Sequence, residues 1–289
     1  MRYLTLLLLL ISQSIFAQLA FLEGTWQGVL IEQNQSPKNG TAIWMEMKID
    51  KDSGEMTGEC RMETPFTNYY AYKSMFGKTT SRNDLTFQDV LIGSQKNVGA
   101  NVWCLNKGEL KYNDTTGYLE GTWSSTDCKR LSGQLILFRS RDNMSKTDTV
   151  SKYHSWFNNL VADLSRGWNA YYVRNAEMRS FEFVPVYFAH DKDELRTDFE
   201  SYLKKMADIV NSHTDLRIKI IGHTDSNGPD KYNIDLSSRR AAVIRAFLEK
   251  SGVKPDKIII EFRGENDPAK SNDTSVGKSF NRRVDFEFI

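Results

Sequence analysis

The side chains with chemistry to offer gather toward the C-terminal end of the chain. Gly222-His223-Thr224-Asp225-Ser226-Asn227-Gly228 is followed by Asn233, by Leu236-Ser237 and by Arg239-Arg240-Ala241. Further on comes Gly277-Lys278-Ser279-Phe280-Asn281-Arg282-Arg283-Val284. Carboxylates, guanidinium groups and amides are the types that hold a charged ligand by charge-assisted hydrogen bonds. Taken singly, each also has an ordinary role. Asp225 could cap a turn, Asn233 and Asn281 could be capping residues, and the arginines could be solvated surface charges. Covalent and metal chemistry lack a pattern. The 4 histidines are scattered, with no His-Glu-x-x-His and no Cys/His spacing for zinc. Gly277-Lys278-Ser279 is not a phosphate loop, because position 272 is Asn and no strand leads directly in. No Gly-x-Ser-x-Gly elbow is present. No metal, cofactor or catalytic cluster is expected. His223, with no acidic or nucleophilic partner in the motif, is expected to be structural.

In its order and spacing the run resembles the OmpA-like peptidoglycan-binding family, over about residues 184–289 and including the opening Val186-Tyr187-Phe188. The resemblance implies reversible, non-catalytic binding of peptidoglycan through the diaminopimelate of its stem peptide, whose free side-chain end is zwitterionic. Asp225 stands at the family position that meets the ammonium, Arg240 at the one that meets the carboxylate. Arginine suits that role because its planar fork meets a carboxylate bidentately. By the same resemblance Thr224 belongs to the ligand loop, and Gly228 lets that loop approach closely. Asn233 braces the loop or touches the peptide, Asn281 and Arg283 line the opposite wall, and Arg282 faces away. Two positions depart from the family pattern. Ala189 replaces an Asp after the first strand, leaving Asp191 as the candidate acceptor, and Gly277-Lys278 replaces Gly-Arg.

Alternating strands and helices must position these residues. Residues 184–188 read as a strand. Leu195, Phe199, Leu203, Met206 and Val210 share one helical face. Residues 216–220 alternate with period two, as a half-buried strand does. A second helix turns Leu236, Val243, Ile244, Phe247 and Leu248 inward and stops at Gly252. Residues 258–262 and 284–288 read as strands. The order β-α-β-α-β-β over 183–289 predicts an α+β two-layer sandwich of OmpA-like type.

Upstream, residues 143–182 read as a polar linker and an amphipathic helix, with Trp156, Leu160, Leu164 and Trp168 at every fourth position. Residues 18–142 read as an all-β domain, barrel or sandwich, from short apolar runs separated by turn residues. Phe21-Leu22-Glu23-Gly24-Thr25-Trp26 recurs as Tyr118-Leu119-Glu120-Gly121-Thr122-Trp123, which suggests related barrel corners. Gly24-Thr25-Trp26, with Arg139 at the end of the last strand, looks like the closing device of calycin/lipocalin barrels; Trp26 as a plain core aromatic is the alternative.

Arg2, the apolar run 4–11 and Ala17 read as a secretory signal peptide over 1–17. At 8 or so residues that run is short of the roughly 20 a spanning helix needs. Export favours a disulfide, with Cys104 and Cys128 the candidate pair and Cys60 left over. A formal charge of +1 gives no bulk attraction to nucleic acid. The expected location is the periplasm, cell-wall associated, with peptidoglycan as partner. A barrel in the outer membrane, or a soluble barrel holding a small apolar ligand or an envelope protein, stands as the alternative for residues 18–142.

Overall fold

Side chains alternate along the N-terminal strands, and the alternation determines which way the sheet curls. Ile43, Met45, Met47 and Ile49 are buried on one face of their strand, while Glu46 and Lys48 point the other way. Met56, Cys60 and Met62, then Leu85 and Phe87, then Leu119 and Trp123, repeat this pattern. The computed structural model describes residues 20–96, 102–140 and 154–289. In it β1 (Gly24–Glu32), β2 (Thr41–Ile49), β3 (Glu55–Glu63), β4 (Tyr70–Lys78), β5 (Asp84–Lys96), β6 (Asn106–Tyr112), β7 (Tyr118–Ser125) and β8 (Ser132–Arg139) form a closed antiparallel barrel. Closure comes from β1 pairing with both β2 and β8. The apolar faces fill the interior, and charged side chains such as Glu46, Lys48, Glu55, Lys107, Glu109 and Lys111 stand outside. Closure also removes the free sheet edges that would otherwise recruit another chain.

One end of the barrel is sealed. A 3₁₀ turn, Ala20–Leu22, lies across it, and Trp26 donates its indole N–H to the Leu22 carbonyl at 2.9 Å. Arg139 stacks over the Trp26 ring at 4.6 Å and donates to the carbonyls of Glu23 and Phe21. The repeated hexapeptide does not make a second such corner. Trp123 faces Gly133, which pairs with Glu32, so it lies at the opposite end from Trp26. Gly24 begins its strand, whereas Gly121 lies inside β7, and the shift slides the same six residues along the barrel.

Near the open end Cys104 and Cys128 are disulfide-bonded, with Cα atoms 5.8 Å apart. Cys60 is a buried free thiol facing a buried ion pair, Lys73–Asp89 at 2.9 Å. Lys73 also donates to the Cys104 carbonyl, and Asp89 accepts the Asn106 amide, so the charges inside the apolar barrel are hydrogen-bonded. A strand over residues 101–105 is not formed: 102–105 are irregular, and Asn101 lies outside the described residues. β6 follows instead, built from Gly and alternating charges that an apolar-run reading passes over.

α1 (His154–Ser165) lies over an outward apolar patch of the barrel. Phe157 and Leu160 are buried against Val29, Ile31, Ala42 and Tyr118. Trp168 falls beyond the helix, after Gly167 at φ +67, so the four-residue period continues past the point where the helix ends. α2 (Tyr171–Arg179) follows. The chain divides into two units, Met1–Val173 and Arg174–Ile289. The expected signal peptide over 1–17 lies outside the described residues.

The second unit contains β9 (Val186–Tyr187), α3 (Glu200–Asn211), β10 (Ile218–Gly222), α4 (Asp230–Lys250), β11 (Ile258–Phe262), α5 (Ser275–Asn281) and β12 (Arg283–Phe288). The sheet order is β11-β10-β12-β9, with β10 and β11 parallel and the other pairs antiparallel. Leu203, Met206, Val210, Ala241, Ile244 and Leu248 bury the helices' apolar faces against Ile218, Ile220, Val284 and Phe286. α5 was not expected. Thr274 makes it, its hydroxyl oxygen accepting the Gly277 amide at 3.0 Å as an N-cap. β9 is also shorter than the run 184–188, with Val184 exposed.

Candidate functional site

The site is built where β10 ends. Gly222 closes that strand against α4, and a Cβ there would lie 2.1 Å from the Ser237 carbonyl oxygen, so only glycine permits this approach. The chain then runs through His223 and Thr224 to Asp225. Gly228, at φ +97, turns it into α4.

Asp225 is 4% exposed. Its carboxylate accepts from Arg282 Nη1 at 2.9 Å and from the Asn227 amide at 3.2 Å. The exposed His190 ring lies 3.8 Å away. Arg282 also donates to the Phe188 carbonyl at 3.2 Å, linking the end of β9 to the Asp225 loop. Arg282 therefore faces the Asp225 loop, against the expectation that it faces away. Arg283 turns to the other face of the sheet, where it grips Asp285 at 2.9 Å and the Asp267 carbonyl. The reason is strand alternation. β12 begins at Arg283, so Arg283 and Asp285 share one face while Val284 and Phe286 enter the core.

Arg240 is 0% exposed. Its Nε donates to the Lys192 carbonyl at 2.8 Å, Nη1 to that of His223 at 3.0 Å and Nη2 to that of Ala189 at 3.2 Å. Three carbonyls from two chain segments, the 189–192 turn and His223 just past β10, converge on this one guanidinium. Burial brings its pKa down to about 10; the nearby Asp225 charge opposes this and Arg282 adds to it. The group remains a cation at neutral pH. Its donors thus hold the backbone around Asp225 rather than opening to solvent.

Asn281 and Asn233 brace the walls. Asn281, 0% exposed, accepts from the Lys270 amide at 2.9 Å and donates to Asn272 at 2.8 Å, and Asn272 in turn accepts the Ser226 amide at 3.2 Å. Asn233 donates to Glu265 and to the Gly228 carbonyl. The Asn233 side-chain oxygen and the Thr224 hydroxyl are buried without a hydrogen-bond partner among the described residues. Lys278, at the altered Gly-Lys position, donates to Asn227 at 2.7 Å. Asp191 sits apart from this cluster at φ +55 and accepts from the Tyr232 hydroxyl. Beside Asp225 stands His190 instead. His223 packs against Asp285, Nε2 to carboxylate 3.4 Å, a partner from β12 that lies beyond the local motif.

Residues 187–282 match the model of the OmpA family. This part of the chain is an OmpA family domain. Several curated proteins align with it, among them the following three. Outer membrane porin F of Pseudomonas fluorescens is 38% identical over 102 residues, 35% of this chain and 31% of that protein. Outer membrane protein A of Bordetella avium is 36% identical over 104 residues, 36% of this chain and 54% of that protein. Peptidoglycan-binding protein ArfA of Mycobacterium bovis is 35% identical over 101 residues, 35% of this chain and 31% of that protein. The chain thus spans between about a third and about half of the length of these relatives.

Proposed function

We propose that the OmpA family domain binds peptidoglycan without covalent chemistry and anchors an exported barrel at the cell envelope. The observation that carries this reading is the pair of opposite charges formed by the buried Asp225 and the part-exposed Arg282, near the Arg240 cation. A zwitterion such as the free end of diaminopimelate can exchange with that pair. Its ammonium would take Arg282's place on Asp225, and its carboxylate would receive the released guanidinium. Each buried charge then keeps a partner, which matters because a desolvated charge left alone is costly. The unpartnered Asn233 oxygen and Thr224 hydroxyl offer an acceptor and a donor to an adjoining peptide. Further support is the alignment with a relative named as a peptidoglycan-binding protein.

The barrel belongs to the aqueous side of the envelope in this reading. Eight closed strands are also a number that outer-membrane barrels use, but those show lipid an apolar outer band. Here Met and Leu side chains fill the interior, and Glu46, Lys48, Lys107 and Glu109 face outward. One apolar outward patch, around Val29, Ile31 and Ala42, is covered by α1.

Co-sedimentation of the full chain with purified diaminopimelate-type peptidoglycan tests the anchor. Pelleting that Asp225→Ala weakens at least about tenfold and that a free diaminopimelate-containing stem tripeptide competes down is the expected result. A folded chain that stays in the supernatant overturns the reading.

A further inference from the structure

A groove of about 930 Å3 on the barrel wall has no part in the anchor. Its shape follows from strand register across β4 to β8. Gly77, Phe87, Gly108, Trp123 and Gly133 are paired one to the next around the barrel. Phe87 and Trp123 point inward, and a Cβ at Gly108 would lie 2.5 Å from the Phe87 ring, so each aromatic fills the space beside a glycine. Seen from outside, this row is a strip of backbone flanked by two ladders of side chains. Phe76, Gln88, Lys107, Ser124 and Ser132 form one ladder. Lys78, Thr86, Glu109, Thr122 and Gln134 form the other. Two residues of strand separate the ladders, and five strands span the length, giving a slot roughly 7 Å wide and 20 Å long.

The chemistry of the walls narrows the occupant. Hydroxyls and amides make up most of the ladder side chains, and the charged ones balance, Lys78 and Lys107 against Glu32 and Glu109. Phe76, 50% exposed, supplies an aromatic face at one end, and Gln33, Asn34 and Gln35 close the other. A lipid or apolar helix would find no apolar strip, and an anionic polymer no excess of cations. An added peptide strand would find no free edge. An uncharged polyhydroxyl chain matches: its hydroxyls meet the ladders, and a sugar ring stacks on Phe76. Strands repeat about every 4.8 Å, near the rise per ring of an extended β-1,4-linked chain.

We infer that this slot binds the glycan strand of peptidoglycan, an N-acetylated β-1,4-linked hexosamine chain. The choice of that glycan rests on the peptidoglycan reading of the OmpA family domain; the slot itself does not. A chain held at both sites would gain avidity, since the second contact becomes intramolecular.

The test is calorimetric titration of the full chain with the β-1,4-linked pentamer of N-acetylglucosamine, which carries no stem peptide. Repeating it in an Asp225→Ala background excludes the other site. Equal binding in both backgrounds, weakened at least about fivefold by Thr122→Ala with Gln134→Ala and likewise by Phe76→Ala, is expected. All three positions are exposed, so unchanged circular dichroism should accompany the loss. Absence of binding, or binding that these substitutions leave intact, overturns the proposal. Cellopentaose bound as tightly as the N-acetylated pentamer overturns the assignment to peptidoglycan. Pentamer binding with wall pelleting that Asp225→Ala leaves unchanged would defeat the stem-peptide anchor alone, and pelleting that Asp225→Ala weakens, without pentamer binding, would defeat the slot alone.

Discussion

Asp225 and Arg282 are 57 residues apart in sequence and 2.9 Å apart in space, joined beneath the surface with side chains 5% and 16% exposed. Arg282 immediately precedes β12, Asp225 lies in the loop after β10, and the two strands are neighbours in the sheet. Their ion pair makes the site self-satisfied, so that a ligand must carry both signs of charge to displace it without loss.

Breaking that pair should separate binding from folding. Arg282→Ala leaves a buried carboxylate unpaired and is expected to destabilise the domain by about 1–3 kcal/mol, below the full cost of a wholly buried pair because Arg282 is part-exposed. Peptidoglycan binding should fall by about tenfold or more. Urea unfolding and co-sedimentation on the same samples measure the two effects. A variant that binds as well as wild type would show that Arg282 is no part of the ligand site.

Arg240 should behave as a positioning residue with a large structural share. Arg240→Ala removes three donors from backbone carbonyls, one of them fully buried, and opens a cavity, for an expected loss of about 3 kcal/mol. Arg240→Lys should recover only part of this, because a compact ammonium cannot reach three carbonyls spread around a planar fork. Chemical denaturation of wild type, alanine and lysine variants ranks them. Equal stability of the lysine variant and wild type would refute the bridging role.

The disulfide should stabilise the barrel through the unfolded state. Cys104 and Cys128 are separated by 24 positions, which predicts about 3 kcal/mol from loop entropy. The denaturation midpoint of the barrel should fall on reduction. Cys60 should stay unmodified by a thiol reagent until the barrel unfolds, since burial raises its pKa well above the usual thiol value and the Asp89 charge adds to this while Lys73 opposes it. Rapid labelling of the native, unreduced chain would contradict the buried assignment.

Asp285 should make the second unit lose stability in acid. Burial alone would raise its pKa, but the His223 ring and the Arg283 guanidinium outweigh this and hold it below the ordinary 3.8. A carboxyl depressed in the folded state stabilises fully above its unfolded value of about 3.9 and loses that contribution as pH falls through the folded value. Thermal unfolding of wild type and Asp285→Asn across this range should show a gap that closes toward low pH. A gap independent of pH would argue against the charge as its source.

The closing residues of the barrel offer a further check. Trp26→Phe removes the bond to the Leu22 carbonyl, and Arg139→Ala removes the cation stacked on that ring. Each should cost about 1–2 kcal/mol, and the double variant should cost less than the sum because the two residues share one contact. Additive losses in thermal melts would mean that they act separately.

Much of this protein could be read from local patterns. Period-two and helical periodicities in 216–220 and 236–248 specify strand and helix because burial on one face requires them. The long motif from Gly222 to Val284 marks the OmpA-like domain because a ligand loop needs particular residue types at particular places. The pairing of Cys104 with Cys128 was also legible. Tertiary structure decided what depends on register and enclosure. It decided that Arg282 faces Asp225 and Arg283 does not, because β12 begins at Arg283 and its alternation sets that side chain beside Asp285. It decided that Arg240 is enclosed by the backbone of His223, Lys192 and Ala189, segments that meet only in the fold. And it decided that the two Gly-Thr-Trp copies lie at opposite ends of the barrel, since identical residues occupy different heights on strands whose starting points differ.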